Sequence, residues 1–325
     1  MNLFYNPDFI AHFSSRGPVS PFYIKPDIVA PGAYINTTQN NGIYNLTSGT
    51  SFAAPHVSGA AALLLQKNPE LENHEIKSLL VTTVQPVSDA YGQEFSLHES
   101  GSGRLDIANA YNAKLIISPT NFVINLSKDQ PSIEEQLELK LIEGNLEKID
   151  VRFEGPKFIE FTHDIKNNNL QIGLNIVEEK YGEHEGKIFI NHDKIQYTIP
   201  MLIHHTEGSI SLIQENEKLF FEINHPDGWS FAKITITNSK NGNSDTISTT
   251  PDKKTSLEIY ENGEYWVDAK IKINGNTSDA FNTIKINSLS EKIEKSELRD
   301  IPEKQIILIV SIIVIIGIVG LIIRK

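Results

Sequence analysis

The 325-residue chain contains no cysteine. This excludes a disulfide framework, a thiolate zinc site and a cysteine nucleophile, and it leaves the redox compartment open. Cations are also in short supply: 29 Lys and Arg against 41 Asp and Glu give a formal net charge of −12. Nucleic-acid affinity rests on Lys and Arg neutralising phosphates, so no nucleic-acid partner is expected, and the acidic balance counts mainly toward solubility. The amino terminus, Met1-Asn2-Leu3-Phe4-Tyr5, lacks a basic stretch followed by a long apolar one. It does not read as a secretory signal but as an internal segment. What is present is 39% apolar and 22% charged residues, enough for two or three domains with real cores.

Residues 1–112 alternate short apolar stretches with Gly/Pro punctuation and then turn helical. Ile28-Val29-Ala30-Pro31-Gly32 reads as a buried strand ended by a turn. From Ser51 to Gln66, Ala53, Val57, Ala60, Ala61 and Leu64 recur at three- and four-residue steps, which predicts a helix with a tightly packed small-residue face. A second helix is predicted over Asn73 to Thr83, with Ile76, Leu79, Leu80 and Thr83 inward. Residues 113–207 switch to period-two alternation, in Leu137, Leu139 and Leu141 and again in Leu170, Ile172, Leu174 and Ile176, the texture of a β-sandwich. Asn191 to Asp193 lies between two strand-like runs, and Pro200 suits an edge or a strand end.

Residues 208–287 read as a second, immunoglobulin- or fibronectin-like sandwich. Asn241-Gly242 and Asn262-Gly263 each fit a tight hairpin turn, and Gly263, Tyr265, Val267, Ala269 and Ile271 resemble a late strand of such a fold. Residues 288–304 are charged and polar, a stalk. From Ile306 to Ile323 only Ser311, Gly317 and Gly320 interrupt an aliphatic run. At about 1.5 Å per residue this spans roughly 27 Å, near the hydrocarbon thickness of a bilayer. A transmembrane helix is therefore expected at 305–323, with Arg324 and Lys325 as a cytoplasmic tail (324–325) and the bulk of the chain outside the cell. That topology conflicts with the missing signal and is itself a sign of absent upstream sequence.

The sharpest chemical signal is Gly49-Thr50-Ser51-Phe52-Ala53-Ala54-Pro55-His56-Val57-Ser58-Gly59, a glycine turn leading through a serine into a helix. At a helix N-terminus the free N–H groups and positive dipole stabilise a developing oxyanion, which suits Ser51 as a nucleophile. Serine is also a preferred N-cap, so the same position fits a purely structural role. Pro55 reads as tolerable because the first helical turn has spare N–H groups.

With two further motifs in order, the segment resembles the subtilisin-like serine proteases, the subtilases of peptidase family S8. Upstream stand Phe13-Ser14-Ser15-Arg16-Gly17-Pro18 and Lys25-Pro26-Asp27-Ile28-Val29-Ala30-Pro31-Gly32; downstream stands Gly101-Ser102-Gly103-Arg104-Leu105-Asp106 with Ala108 and Ala110. The resemblance covers about the first 112 residues and only the C-terminal portion of a subtilase catalytic domain. It implies an α/β fold class, the C-terminal part of a parallel-sheet domain, followed here by two all-β sandwich domains and the C-terminal transmembrane helix. It also implies that Ser51 is the nucleophile of an endopeptidase acting on protein or peptide through an acyl-enzyme.

In that family the triad runs Asp, His, Ser along the chain. Only 50 residues precede Ser51, and they hold no Asp-Ser-Gly-like or His-Gly-Thr-His-like segment and no counterpart of the family's oxyanion asparagine. His12 and His56 read as structural, Asp8 and Asp27 as loop residues, and His74 as exposed on its helix. Without a general base a serine hydroxyl is a weak nucleophile. In subtilisin itself, loss of the histidine costs roughly 10⁶ in kcat, so the polypeptide alone is expected to be inactive. A split gene or a fragment of a longer reading frame would account for the missing parts. Residues 1–112 by themselves would leave strand edges and apolar surface uncovered.

No cofactor is identifiable from the residues; calcium enters only through the family resemblance, with no residues assigned. His204-His205 with His225 lacks zinc-like spacing and reads as bland. Sequons at Asn36, Asn45, Asn125 and Asn276 fit an extracellular setting. Three functions follow: a membrane-tethered surface endopeptidase; a non-catalytic surface adhesion protein with a vestigial protease segment; or a half-enzyme completed by a separately encoded N-terminal protease portion.

Overall fold

The computed structural model describes residues 9–146 and 149–287. The stalk, membrane helix and cytoplasmic tail expected from residue 288 onward lie outside them, as does Asp8. Among the described residues no helix is long and apolar enough to cross a membrane.

Among its described residues the first segment forms a small hairpin and four α-helices. β1 (Ile35–Thr38) pairs antiparallel with β2 (Tyr44–Thr47) across a turn in which Asn41 and Gly42 both take positive φ. There follow α1 (Thr50–Lys67), α2 (Asn73–Thr82), α3 (Leu97–Ser100) and α4 (Ile107–Asn112). Their starts follow local chemistry. Glu72 with Glu75 and Ser96 with Glu99 form capping boxes at α2 and α3, and the Asp106 carboxylate accepts from the Asn109 N–H at 2.8 Å at α4. Pro55 is the sixth helical residue of α1, beyond the spare N–H groups of the first turn. The Ser51 carbonyl therefore loses its intrahelical donor, which costs little because Ser51 is exposed.

The expected α/β class is corrected here. Among the described residues strand makes up 48% and helix 15%, so this part of the protein is mainly β. The first segment builds no parallel sheet among its described residues: its hairpin is antiparallel, and the Ile28–Gly32 stretch contributes a single parallel bridge, Val29 to Arg104. Helical periodicity was readable, but a sheet also needs neighbouring strands, and Val29 finds only the turn at Gly103–Leu105, through Val29 N–H to Gly103 C=O (2.9 Å) and Leu105 N–H to Val29 C=O (2.8 Å).

Eight strands follow: β3 (Leu115–Ser118), β4 (Phe122–Ser127), β5 (Ser132–Leu141), β6 (Asp150–Glu154), β7 (Ile159–Lys166), β8 (Asn169–Ile176), β9 (Gly182–His192) and β10 (Ile195–Thr206). They make two sheets, ordered β4-β10-β9-β6 and β3-β5-β8-β7. The alternation of Leu137, Leu139, Leu170, Ile172 and Leu174 puts all five in the core between them. Asp193 and Lys194 both take positive φ in the β9–β10 turn, as a type I′ hairpin requires. Pro200 departs from expectation: it lies inside β10, a central strand, opposite Lys187 of β9. Pairing with β4 begins only at Met201, so Pro200 borders the parallel ladder without interrupting it.

The helices share this core. Ala60, Leu64, Ile76, Leu79, Leu80 and Ala110 belong to one buried cluster with Leu115, Ile117, Leu139, Tyr197 and Met201. At its edge strand β3, the fully buried Ile117 finds its partner on α2: Ser78 Oγ donates to the Ile117 carbonyl (2.8 Å) and accepts from its N–H (2.9 Å). Tyr197 Oη, inside the sandwich, accepts from the N–H groups of Lys114 and Leu115, both at 3.1 Å. Glu75, nearly buried, is ion-paired to Lys140 of β5.

The last strands are β11 (Ser209–Glu215), β12 (Lys218–Asn224), β13 (Phe231–Asn238), β14 (Ser244–Thr249), β15 (Thr255–Glu258), β16 (Gly263–Ile273) and β17 (Asn276–Ile286), in sheets β11-β12-β15 and β14-β13-β16-β17 around a second core. Along β16, Tyr265, Val267, Ala269, Ile271 and Ile273 are buried at alternate positions, and Tyr265 Oη donates to the Glu261 carbonyl at 2.9 Å, the corner bond typical of immunoglobulin-like folds. Gly242, at φ +73°, turns the β13–β14 hairpin. Asn262-Gly263 makes no hairpin, because β15 pairs with β12 while β16 pairs with β13, so the chain crosses between sheets there. The β16–β17 hairpin turns instead at Asn274-Gly275, both at positive φ.

Candidate active-site serine

Three sequence motifs meet at the N-terminus of α1. Gly49 precedes the helix in an extended conformation, and its N–H donates to the Gly32 carbonyl at 2.8 Å. A Cβ on Gly32 would stand 2.9 Å from the Gly49 carbonyl oxygen and 3.1 Å from Ala53 Cβ, so only glycine allows this approach. The Lys25–Gly32 stretch is held in turn by the downstream motif: Ser102 N–H donates to the Asp27 carbonyl at 3.0 Å, and Gly101, at φ +59°, lies so close to Pro26 that a Cβ would come within 2.2 Å of its carbonyl oxygen. Residues some seventy positions apart in the chain thus fix the start of one helix.

Ser51 is the second residue of α1 and is exposed. Gly49, not Ser51, occupies the N-cap, so the structural alternative of a capping serine does not apply. Among the described residues no side chain hydrogen-bonds to Ser51 Oγ. Phe52 N–H donates to the Gly49 carbonyl at 3.0 Å, whereas the Thr50 and Ser51 N–H groups precede the first intrahelical bond and face the N-terminal end. The arrangement offers a hydroxyl beside unpaired donors at the positive end of an 18-residue helix. About 430 Å³ of cavity lies alongside, walled by apolar groups including Phe9, Phe13, Ile28, Ala53 and Val57.

The histidines and aspartate nearest in sequence are committed elsewhere. His56 Nδ1–H donates to the Phe52 carbonyl at 2.8 Å, one turn back on its own helix. His12 is exposed, edge-on to Phe13 at 5.4 Å. His74 is exposed beside Glu72 at 3.3 Å. Asp27 is held by Lys25 and by Lys77 of α2, the latter at 2.8 Å. Burial alone would raise its pKa, but the two ammonium groups outweigh that and lower it. Asp27 thus braces the motif loop against α2.

His204, His205 and His225 all border one cleft of about 670 Å³ between the two sandwiches. Each ring is already engaged: His204 Nε2–H with the Pro21 carbonyl (2.7 Å), His205 Nδ1–H with the Lys180 carbonyl (2.9 Å), and His225 Nδ1 as acceptor from the Asp227 N–H (3.2 Å). Among the described residues no group of three or more His, Asp or Glu is arranged to hold a metal ion. Of the sequons, Asn36, Asn45 and Asn276 are exposed, while Asn125 lies in β4 with its Oδ1 buried.

The sequence reading missed the spatial pairing of Asp27–Val29 with Ser102–Leu105 and the role of Ser78. Gly101 and Gly103, quoted only as part of a motif, carried the signal for the first.

The subtilase family matches residues 5–103. Among curated proteins, the minor extracellular protease Vpr of Bacillus subtilis is 28% identical over 201 residues, 56% of this chain and 25% of that protein. Subtilisin-like protease SBT1.6 of Arabidopsis thaliana is 36% identical, over 34% of this chain and 18% of its own length. The PII-type proteinase of Lacticaseibacillus paracasei is 36% identical, over 34% and 7%. The chain thus spans a quarter or less of these relatives. Among solved structures, a segment of two fibronectin type III domains from chicken tenascin aligns with 53% of this chain and 97% of its own at 12% identity and a TM-score of 0.22, too low to bear on the fold.

Proposed function

From the premise that residues 5–103 belong to the subtilase family, we propose that Ser51 is the nucleophile of a serine endopeptidase when this segment is part of a complete catalytic domain. The observation that carries the reading is an exposed serine, free of side-chain partners among the described residues, set within the matched segment at the N-terminus of α1. Its Oγ would attack a peptide carbonyl, its proton passing to a histidine oriented by an aspartate. Collapse of the tetrahedral intermediate would leave an acyl-enzyme on Ser51 and release the amine, and water would then free the acid. The unpaired N–H groups at the start of α1 suit the developing oxyanion. The substrate class is protein or peptide.

Neither the histidine nor the aspartate is supplied by a described residue near Ser51. A polypeptide carrying those groups is therefore the partner this reading requires. The surface it would meet is apolar: Tyr34, Ile43, Tyr44 and Leu46 of the hairpin region and Leu63 and Leu65 of α1 are all exposed.

The test is co-expression of this chain with a subtilase portion that ends where the matched segment begins, followed by protein hydrolysis and active-site labelling with a fluorophosphonate. Activity and labelling should arise only in the pair and disappear with Ser51→Ala. Hydrolysis that survives Ser51→Ala would refute the assignment.

A further inference from the structure

Four carboxylates line the cleft of about 670 Å³ between the two sandwiches, those of Glu183, Glu207, Asp227 and Asp279, and no Lys or Arg lines it. Two of the four are already engaged. Glu183 accepts from His98 Nε2 at 2.8 Å, and Asp279 is paired to Lys270 at 2.6 Å. Among the described residues Glu207 has its one ion-pair contact with His225, at 3.6 Å, and Asp227 meets the same histidine only through its backbone N–H. Lys180, whose carbonyl approaches the cleft through His205, turns its ammonium to Glu178 at 3.3 Å. The wall of the cleft at Glu207 and Asp227 is therefore negative with no cation set against it.

An acidic wall alone attracts any cation; His225 adds a bond that is not made. Its side chain is only 1% exposed. Nδ1 accepts from the Asp227 N–H at 3.2 Å, so the neutral ring carries its proton on Nε2. That N–H is buried and has no hydrogen-bond partner among the described residues: Glu207 Oε2 faces it at 3.6 Å, beyond bonding length. A buried donor without an acceptor is costly, and this one stands in the wall of the cleft. The tautomer turns no lone pair toward Glu207, so the position suits an acceptor and not a metal ion.

We propose that this cleft is a docking site for a peptide segment bearing Lys or Arg, with the cationic side chain at Glu207 and Asp227 and a backbone carbonyl on His225 Nε2–H. A basic peptide meets both needs at once. Its ammonium or guanidinium group draws the half-buried Glu207 carboxylate, and its carbonyl takes the N–H that Glu207 does not reach. An anionic ligand would be repelled by the four carboxylates. The volume falls within the range of about 300–1,000 Å³ usual for binding clefts, which favour the junctions between domains. The net charge of −12 favours the approach of a basic segment. None of this depends on the role given to Ser51.

Titration calorimetry on the full chain at about 0.15 M salt, where exposed charges are screened beyond about 8 Å, reads the cleft and not the net charge. An acetylated and amidated glycine-arginine-glycine peptide should bind at least about tenfold more tightly than its citrulline counterpart, which keeps the shape and loses the charge. Glu207→Gln with Asp227→Asn should abolish that difference; neither side chain is fully buried, so the fold is kept. Glu222→Gln with Asp245→Asn removes the same charge from exposed positions outside the cleft and should leave the difference intact. Propylguanidine, a cation without a carbonyl, should bind at least about tenfold more weakly than the arginine peptide. The proposal is overturned if the arginine peptide does not bind, if the citrulline peptide or propylguanidine matches it, or if the cleft pair of substitutions leaves the difference or the control pair removes it.

Discussion

Ser78→Ala tests whether α2 and the first sandwich are one cooperative unit. The hydroxyl serves both polar groups of Ile117, and Ile117 is fully buried on an edge strand, so no water replaces it. Removing one partner of a buried group costs about 1–3 kcal/mol, and here a donor and an acceptor are orphaned together. Allowing for relaxation, about 2–4 kcal/mol is expected for opening this region. At about 1.4 kcal/mol per decade, that is roughly a 30- to 700-fold loss of amide protection at Ile117. Hydrogen exchange on the full chain reads this directly and avoids assuming two-state unfolding in a protein with two cores. Ser58→Ala is the control: Ser58 is exposed and its hydroxyl only back-bonds to the Ala54 carbonyl at 3.3 Å, so a change within about 0.5 kcal/mol is expected. If Ser78→Ala lowers protection at Ile117 by less than about threefold, the hydroxyl is not what satisfies the strand edge and the reasoning fails.

Leu79→Ala removes a side chain that is 1% exposed between α2 and the sandwich, and should cost about 2–5 kcal/mol, measured as a drop in the urea midpoint of the transition that reports β3. Gly101→Ala places a Cβ against the Pro26 carbonyl at positive φ, and should cost at least about 1–3 kcal/mol from backbone strain alone, seen as a lower melting temperature. Glu75 has a pKa lowered chiefly by its hydrogen bond to Lys140, working against its burial. Its contribution is therefore present above the free-carboxylate value near 4.5 and lost as pH falls through the lowered one. Carbon-13 NMR titration should show this carboxyl moving to higher pKa in Lys140→Met, and an unchanged curve would contradict the pairing.

What the sequence made legible was local, and what it hid was between segments. The helix over 51–66 became Thr50–Lys67 because alanine and leucine spacing decides a helical face without help from elsewhere. The alternation at Leu137, Leu139, Leu170, Ile172 and Leu174 fixed which face of each strand is buried for the same reason. Nothing in Asn262-Gly263 says whether the next strand returns to its predecessor; β15 was taken by β12, so the same dipeptide that would close a hairpin became a crossing. Pro200 misled because its missing N–H was weighed without knowing where the β4 ladder begins. The parallel sheet was inferred from a resemblance to whole domains, yet Val29 pairs only with the turn at Gly103–Leu105.

The site shows the same division. Ser51 was legible because a glycine turn into a small-residue helix is a local pattern. That Gly32, Gly101 and Gly103 must be glycine because separate loops touch there is a property of packing. So is the setting of His204, whose hydrogen-bond acceptor is Pro21 and whose ring neighbour is Phe281, residues with no spacing that a one-dimensional reading could recognise. Chemistry that depends on one helix end survives in sequence; chemistry that depends on three units meeting does not.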